Sequence, residues 1–248
     1  MKATAKRTKL LKNINSQHVI GLVLILFLLA AIYPVIWLMI SSFKAPFEFT
    51  RPAFSLPQTL YFENYIRAWV RGNLGTYYRN SVISTSGALL LIIITSSTIS
   101  FAITKMKWKL KSSAMTLFSF GILIPTQVVL IPLFMIFRSM GLINNLTSLI
   151  LSLGAFGMSM SIFLFNSYFN SIPHEIFESA IIDGCSIYGV FARIVLPLIR
   201  NAIVTVLVVQ FFSVWNDLIF SMTFISRNSL KTIQTGLLFF ADEFGNVE

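Results

Sequence analysis

Long apolar blocks alternate with short polar or charged stretches along the whole chain. Five blocks are long enough to cross a bilayer, which requires about 20 apolar residues in a helix; they cover about 19–41, 81–103, 113–137, 146–169 and 202–225. The pattern therefore predicts an all-α polytopic membrane bundle, with a basic segment at 1–18 followed by a transmembrane domain over 19–248.

Composition and charge agree with a membrane protein and exclude several other classes. Hydrophobic residues make up 56% of the chain and charged residues only 11%, whereas soluble domains have about 25% charged residues. The net charge of +10 comes from basic residues between spans, where membrane topology places them, so nucleic-acid binding is not predicted. One cysteine, two histidines and no GxxxxGK[ST], HExxH or GxSxG motif predict no metal site and no catalytic residue.

The distribution of basic residues predicts the orientation of the chain. Five basic residues precede the first span, and four lysines lie between Lys105 and Lys111. Such short basic segments stay in the cytoplasm, which predicts a plasma-membrane protein with its N-terminus inside. Residues 42–79, with aromatics near prolines, are predicted to be an extracytoplasmic segment along the membrane interface. After five spans, residues 226–248 contain no further span and are predicted to lie outside.

Residues 171–200 are predicted to form a helix, a glycine turn and a second helix on the cytoplasmic face. Glu175 suits the positive end of a helix dipole, Gly184 suits a left-handed helix end, and Ser186 suits the cap of a second helix. One interpretation is an interfacial loop without a partner. Three acids beside an anionic membrane surface favour the other, which is a docking site for a protein with basic residues.

The same segment resembles the EAA motif of ABC-importer permeases, which has the pattern EAA, three residues, Gly, nine residues, Ile, one residue, Leu-Pro. Ser179 replaces the first alanine of the motif, a change from one small residue to another. The resemblance implies that this segment is the ATPase-coupling site. The residues that match the motif there are Glu178, Ser179, Ala180, Asp183, Gly184, Ile194, Leu196 and Pro197.

Other stretches are similar to the maltose-type carbohydrate permeases of that family: Ile124–Asn145, Phe211–Phe220 and the LKTIQTGLLFF that follows. The resemblance implies the type I importer permease fold, which normally has six spans, so a chain with five is expected to lack the last one. It also implies a path for a sugar or oligosaccharide, formed with a second permease in a heterodimer. Two ATPase subunits, which bind ATP and Mg, and an extracytoplasmic sugar-binding protein are the further partners that it implies.

The fifth predicted span carries a polar stripe. If that span is one continuous helix, Gln210, Ser213, Asp217 and Ser221 fall within an arc of about 80°. The stripe faces the transport path or the partner permease, or else Asp217 pairs with a neighbouring helix near the outer interface; the sequence leaves both open. Asn216 lies off the stripe but matches the family pattern.

Two alternatives to the permease remain at this point. The first is an ion-coupled secondary transporter in which Asp217 is the ion or proton site, because a carboxylate in a span is costly unless it has a function or a partner. That interpretation leaves the EAA segment unexplained. The second is a truncated permease remnant that inserts without assembling.

Overall fold

The structure is a computed structural model that describes residues 2–52 and 54–244. Within those residues all regular secondary structure is helical. The chain divides into two compact units, Met1–Arg71 and Gly72–Glu248. The described part contains three helices long and apolar enough to cross a membrane, or as many as five when each of two bent helix pairs is taken as one span.

The first unit consists of one long helix and a short folded segment after it. Helix α1 (Lys2–Ser41) contains the candidate span Gln17–Ser41. It is followed by a 3₁₀ helix (Pro46–Thr50) and by α2 (Glu63–Val70). The buried Glu48 carboxylate accepts hydrogen bonds from the backbone N–H groups of Ala45 (3.2 Å) and Gln58 (2.9 Å), which holds this segment in a closed loop.

The second unit is a bundle built around two long helices, α3 and α6. Its helices are α3 (Leu74–Lys105), α4 (Lys111–Gly121), α5 (Thr126–Ser139), α6 (Leu146–Asn170), α7 (Glu175–Ile182), α8 (Ile187–Val190), α9 (Leu196–Leu198), α10 (Arg200–Trp215), α11 (Ile219–Phe224) and α12 (Ile233–Phe244). Helices α3 and α6 pack along much of their length, and α10 lies against both.

Small residues bring α3 and α6 together. A Cβ atom added to Gly154 would lie 2.5 Å from Leu91 Cδ2, so the side chain of α3 occupies the space that this glycine leaves. The hydroxyl of Ser100 donates across the helix pair to the carbonyl of Ile162 (3.2 Å). Small residues thus allow the two helices to approach closely, as expected for helices that associate within a bilayer.

The third and fifth predicted spans are not continuous helices. Helices α4 and α5 meet at 102°, just before Pro125, which has no N–H to donate to the preceding turn. Pro132 lies within α5 without ending it. Over 202–225, α10 ends at Trp215 and α11 begins at Ile219.

One end of the bundle is fastened by asparagine side chains. Asn144, at φ +57° in the turn between α5 and α6, accepts hydrogen bonds from the backbone N–H groups of Ser226 and Arg227 (2.8 Å each). Asn80, near the start of α3, donates to the carbonyls of Ser229 and Lys231 (3.0 Å each). The segment after α11 thus joins this end of α3 to the α5–α6 turn.

Candidate functional site

The turn between α7 and α8 has the geometry that its sequence predicts. Gly184 adopts φ +83°, and two backbone hydrogen bonds close the end of α7: Gly184 N–H to Ile181 O and Cys185 N–H to Ala180 O (3.0 Å each). This is the Schellman arrangement, in which a glycine takes the left-handed position. Ser186 Oγ then accepts from the N–H of Gly189 (3.2 Å) and caps α8, as predicted.

A π-helical turn (Phe191–Val195) continues α8 toward the bundle. The N–H of Leu196 bonds to the carbonyl of Phe191, five residues earlier, and Pro197 next to it has no N–H. After α9 the chain bends, so that Ile187–Leu198 and α10 meet at 72°. Pro197 of the EAA-like motif therefore lies where the surface helices turn into the bundle.

An aromatic cluster holds this segment against the ends of α3 and α6. The Phe101 ring, on α3, lies 6.2 Å from Phe169, 6.1 Å from Phe177 and 5.4 Å from Phe191, measured between ring centroids. The Lys105 ammonium lies 4.9 Å from the centre of the Phe177 ring and donates to the carbonyl of Ile172 (2.7 Å). The packing is continuous from the bundle core to α7.

The opposite side of the segment is an exposed surface with both apolar and acidic residues. Ile182 and Tyr188 are each 84% exposed, and Glu178 and Asp183 are exposed beside them. The two acids make this surface unsuited to acyl chains, and apolar side chains rimmed by polar ones are typical of a protein contact site. We call Glu178, Ile181, Ile182, Asp183 and Tyr188 the docking face.

The EAA-like residues divide between the docking face and the interior. Ala180 is buried against the bundle, and Ile194 and Leu196 are half-buried. Glu178, Ser179, Asp183, Gly184 and Pro197 are exposed. The motif thus combines residues that shape and pack the segment with residues that are free to contact another protein.

The continuous polar stripe expected on the fifth span is wrong. The helix breaks between Trp215 and Ile219, so a single helical wheel does not relate Gln210 and Ser213 to Asp217 and Ser221. The Asp217 carboxylate instead accepts from the N–H groups of Phe220 (3.3 Å) and Ser221 (3.0 Å) and caps α11.

Two members of the expected stripe, Gln210 and Ser221, are buried and hydrogen-bonded within the chain. The buried Gln210 donates to the carbonyl of Gly157 on α6 (3.1 Å). The hydroxyl of Ser221, also buried, bonds to the hydroxyls of Thr232 (2.8 Å) and Thr235 (2.6 Å). Ser213, in the last turn of α10, is exposed, and so is Asn216, which lies off the stripe at the helix break.

Aromatic rings lie around the break, an arrangement that the sequence alone does not predict. Phe211 and Trp215 stack at 5.5 Å, and Tyr78 of α3 meets Trp215 edge-on at 5.9 Å. The i, i+4 spacing of Phe211 and Trp215 was a signal for their stacking, but nothing local indicated Tyr78. Among the described residues, no group of three or more His, Cys, Asp or Glu side chains could hold a metal ion.

A helical membrane bundle that presents an exposed helix–turn–helix at one end is typical of a transporter subunit that docks on another protein. The chain belongs to the family of binding-protein-dependent transport system inner membrane components, whose family model matches residues 88–241. It is 35% identical to the probable ABC transporter permease protein YurM of Bacillus subtilis, over 88% of this chain and 73% of that protein.

Two further relatives and one solved structure are similar to the chain. It is 32% identical to the diacetylchitobiose uptake system permease protein NgcG of Streptomyces coelicolor, over 78% of this chain and 64% of that protein. It is 28% identical to the melibiose/raffinose/stachyose import permease protein MelC of Bacillus subtilis, over 98% and 86%. A crystal structure of a bacterial ABC transporter involved in the import of the polysaccharide alginate has the same fold, with a TM-score of 0.80 at 23% identity, over 93% of this chain and 80% of that one.

Family membership confirms the predicted fold class and the main functional interpretation. The protein is a multi-pass membrane permease component of a binding-protein-dependent ABC importer and not an enzyme. Such a component works with a partner permease, an ATPase and a solute-binding protein. The family favours this function over the ion-coupled transporter, and the capping role of Asp217 offers that alternative no support.

Proposed function

We propose that this chain is one permease of a heterodimer in a type I importer for a sugar or oligosaccharide. Two ATPase subunits, which carry ATP and Mg, complete the machine, and an extracytoplasmic sugar-binding protein delivers the substrate. The named substrates of the relatives NgcG, MelC and the arabinooligosaccharide permease AraQ of Halalkalibacterium halodurans support the substrate class. The main support for this proposal is that the docking face is exposed and lies beside a turn that the aromatic cluster holds against the bundle.

The docking face fits the task of coupling to an ATPase. Its two most exposed apolar side chains, Ile182 and Tyr188, would be buried in a cleft of the partner, and Glu178 and Asp183 would meet basic residues at the rim. The aromatic cluster behind α7 is a packed core, which transmits a shift instead of absorbing it. Movement of the ATPase pair would therefore rotate α7 together with the ends of α3 and α6.

The helix break at residues 216–218 is the part of the chain that we assign to the substrate path. Exposed Ser213 and Asn216 offer hydrogen-bonding groups beside the rings of Phe211, Trp215 and Tyr78. Sugars need this combination, because their hydroxyls require polar partners while their C–H faces lie against aromatic rings. Gln210, Asp217 and Ser221 shape the path indirectly by fixing α10 and α11.

The orientation that we propose places the N-terminus and the docking face in the cytoplasm. The hydrogen bond from Lys105 to the Ile172 carbonyl supports it, because it joins the four-lysine segment to the segment that must meet the ATPase. Lys105 and Ile172 lie at the C-terminal ends of α3 and α6, whereas the contacts of Asn80 and Asn144 lie near the N-terminal ends of the same two helices. The side that faces the binding protein would therefore include residues 225–232.

Transport by the purified complex tests the function directly. The complex is purified through a tag on this chain, reconstituted in proteoliposomes, and supplied with the co-purifying binding protein and labelled oligosaccharides. We expect uptake that requires ATP on the docking-face side and persists when ionophores remove ion gradients. Uptake driven by a proton gradient without ATP would contradict the proposal.

A further inference from the structure

Helix α2 has an apolar face that the described residues of its own unit leave largely exposed. At 100° per residue, its apolar and aromatic side chains occupy an arc of about 140°. These side chains are between 49% and 68% exposed, and they are Phe62, Tyr65, Ile66, Trp69 and Val70. The opposite arc carries Glu63, Asn64, Arg67 and Arg71.

Both arcs of α2 contact the residues that follow the membrane span in α1. The Asn64 side-chain amide donates to the carbonyls of Ser42 (3.0 Å) and Lys44 (2.8 Å), which follow the last turn of α1. At one edge of the apolar arc, the Tyr65 hydroxyl is hydrogen-bonded to Ser42, and the Phe43 ring contacts Tyr65 at 5.3 Å and Phe62 at 5.5 Å. The position of α2 is thus set by the point where α1 leaves the hydrocarbon.

The end of α1 has the composition of a membrane boundary. The Trp37 ring lies there, with the buried Lys44 ammonium 4.6 Å from its centre, and tryptophan is enriched at the headgroup level. Helix α2 has eight residues, so it extends only about 12 Å from its attachment. Its exposed arc carries a tryptophan and a tyrosine, the two side chains enriched in that layer.

We propose that α2 is an interfacial anchor whose apolar arc lies in the boundary between the headgroups and acyl chains of the bilayer that α1 crosses. The polar groups on the other arc pair with their own unit: Arg67 donates to the Tyr61 hydroxyl (2.7 Å) and lies 3.9 Å from the Glu63 carboxylate. A short helix with this division of residues gains free energy by lying flat in the interface. The anchor fixes the depth and rotation of α1.

Lipid is a better occupant of this face than a protein partner because the face continues from a membrane span. The span in α1 is exposed along its length within its own unit. The loop after it adds the exposed rings of Phe47, Phe49 and Phe54, and the Phe54 ring lies 5.5 Å from Trp37 near the end of α1. A surface so apolar and so close to the bilayer is buried at least cost by the acyl chains beside it.

Collision measurements on spin labels test the anchor. With Cys185 replaced by serine, single cysteines are introduced at Ile66 and Trp69 on the apolar arc and at Glu63 on the polar arc. The full chain, in its co-purified complex in lipid nanodiscs, is labelled with a nitroxide, and collisions with oxygen and with a water-soluble nickel chelate are compared. Phospholipids that carry nitroxides at known depths calibrate the scale.

We expect labels at 66 and 69 to collide severalfold more with oxygen than with nickel, at a depth just below the phosphates, and the label at 63 to show the reverse. Labels at 66 and 69 shielded from both reagents would place a protein partner on this face. Free collision of these labels with nickel would place the face in water. Both results would overturn the proposal, and the assay does not depend on transport.

Discussion

Lys105, the last residue of α3, donates a hydrogen bond to the carbonyl of Ile172, 67 residues further along the chain, at 2.7 Å. Its ammonium also lies over the ring of Phe177, the buried aromatic of α7. One side chain thus connects a bundle helix to both the turn before α7 and the inner side of α7.

Replacing this lysine is expected to loosen the coupling between ATP hydrolysis and transport. Lys105→Met keeps the apolar stem but removes the donor and the cation–π contact, and a charged hydrogen bond is worth about 1.5–3 kcal/mol. We expect more ATP hydrolysed per sugar transported, at equal abundance of the complex in the membrane. Lys105→Arg should retain most of the coupling.

Lys107→Met is the matched control for that variant. It removes one charge from the same lysine cluster at an exposed position, so it tests the effect of charge on topology alone. An unchanged ratio of ATP to sugar in Lys105→Met, or an equal change in Lys107→Met, would contradict the positioning role of Lys105.

Gly184→Val is expected to uncouple transport while membrane insertion persists. A Cβ at this position has open space, with no neighbouring atom within 4 Å, so the cost arises from the backbone at φ +83°. A left-handed conformation costs L-residues about 1–2 kcal/mol, and β-branching adds to it. The turn would relax and displace the docking face, which we expect to reduce both ATPase co-purification and uptake.

Gly141→Val separates backbone strain from docking. Gly141 has φ +69° and equally open surroundings, but it lies in the α5–α6 turn. We expect a similar loss of thermal stability in detergent from both variants and a loss of ATPase co-purification from Gly184→Val alone. Normal co-purification and normal uptake in Gly184→Val would refute the assignment.

Gly157→Ala is expected to destabilise the bundle. A Cβ there would lie 2.5 Å from Ile92 Cδ1 and 2.9 Å from Gln210 Oε1, and both side chains are buried. Overpacking of this kind costs about 1–3 kcal/mol, which should lower the melting temperature of the purified protein in detergent. Gly21→Ala, a helical position with no atom within 4 Å, should leave it unchanged or raise it slightly, because alanine favours a helix more than glycine. Equal melting temperatures for the two variants would show that α3, α6 and α10 are less tightly packed than the structure indicates.

Local chemistry explains which features the sequence could predict. Gly184 and Ser186 act through the backbone next to them, so their residue types alone predicted the turn and the cap. The break after Trp215 was missed because Asp217 was interpreted as a charge within a span. Aspartate in an Asn-Asp pair is also a signal for a helix cap. The Asn216 side-chain amide competes with the backbone hydrogen bonds of a continuing helix by donating to the Phe212 carbonyl (2.8 Å). The contacts of Lys105 and Tyr78 depend on which helices become neighbours, and no local pattern contains that information.

The orientation of the chain can be tested with an impermeant maleimide in intact cells. After Cys185 is replaced, single cysteines are introduced at Ser16, Lys109, Ser186 and Ser229, the last an exposed residue of the segment after α11. We expect labelling at position 229 only, because the basic residues hold 1–18 and 105–111 in the cytoplasm and the docking face must meet an ATPase there. Asn246, which lies outside the described residues, is predicted from the sequence to be outside as well.

Lysed cells provide the control, since all four positions should label once the membrane is open. Labelling at 186 in intact cells would place the docking face on the wrong side for ATP, and the coupling proposal would be wrong together with the orientation. Protection at 229 would contradict only the number of crossings between it and residue 186.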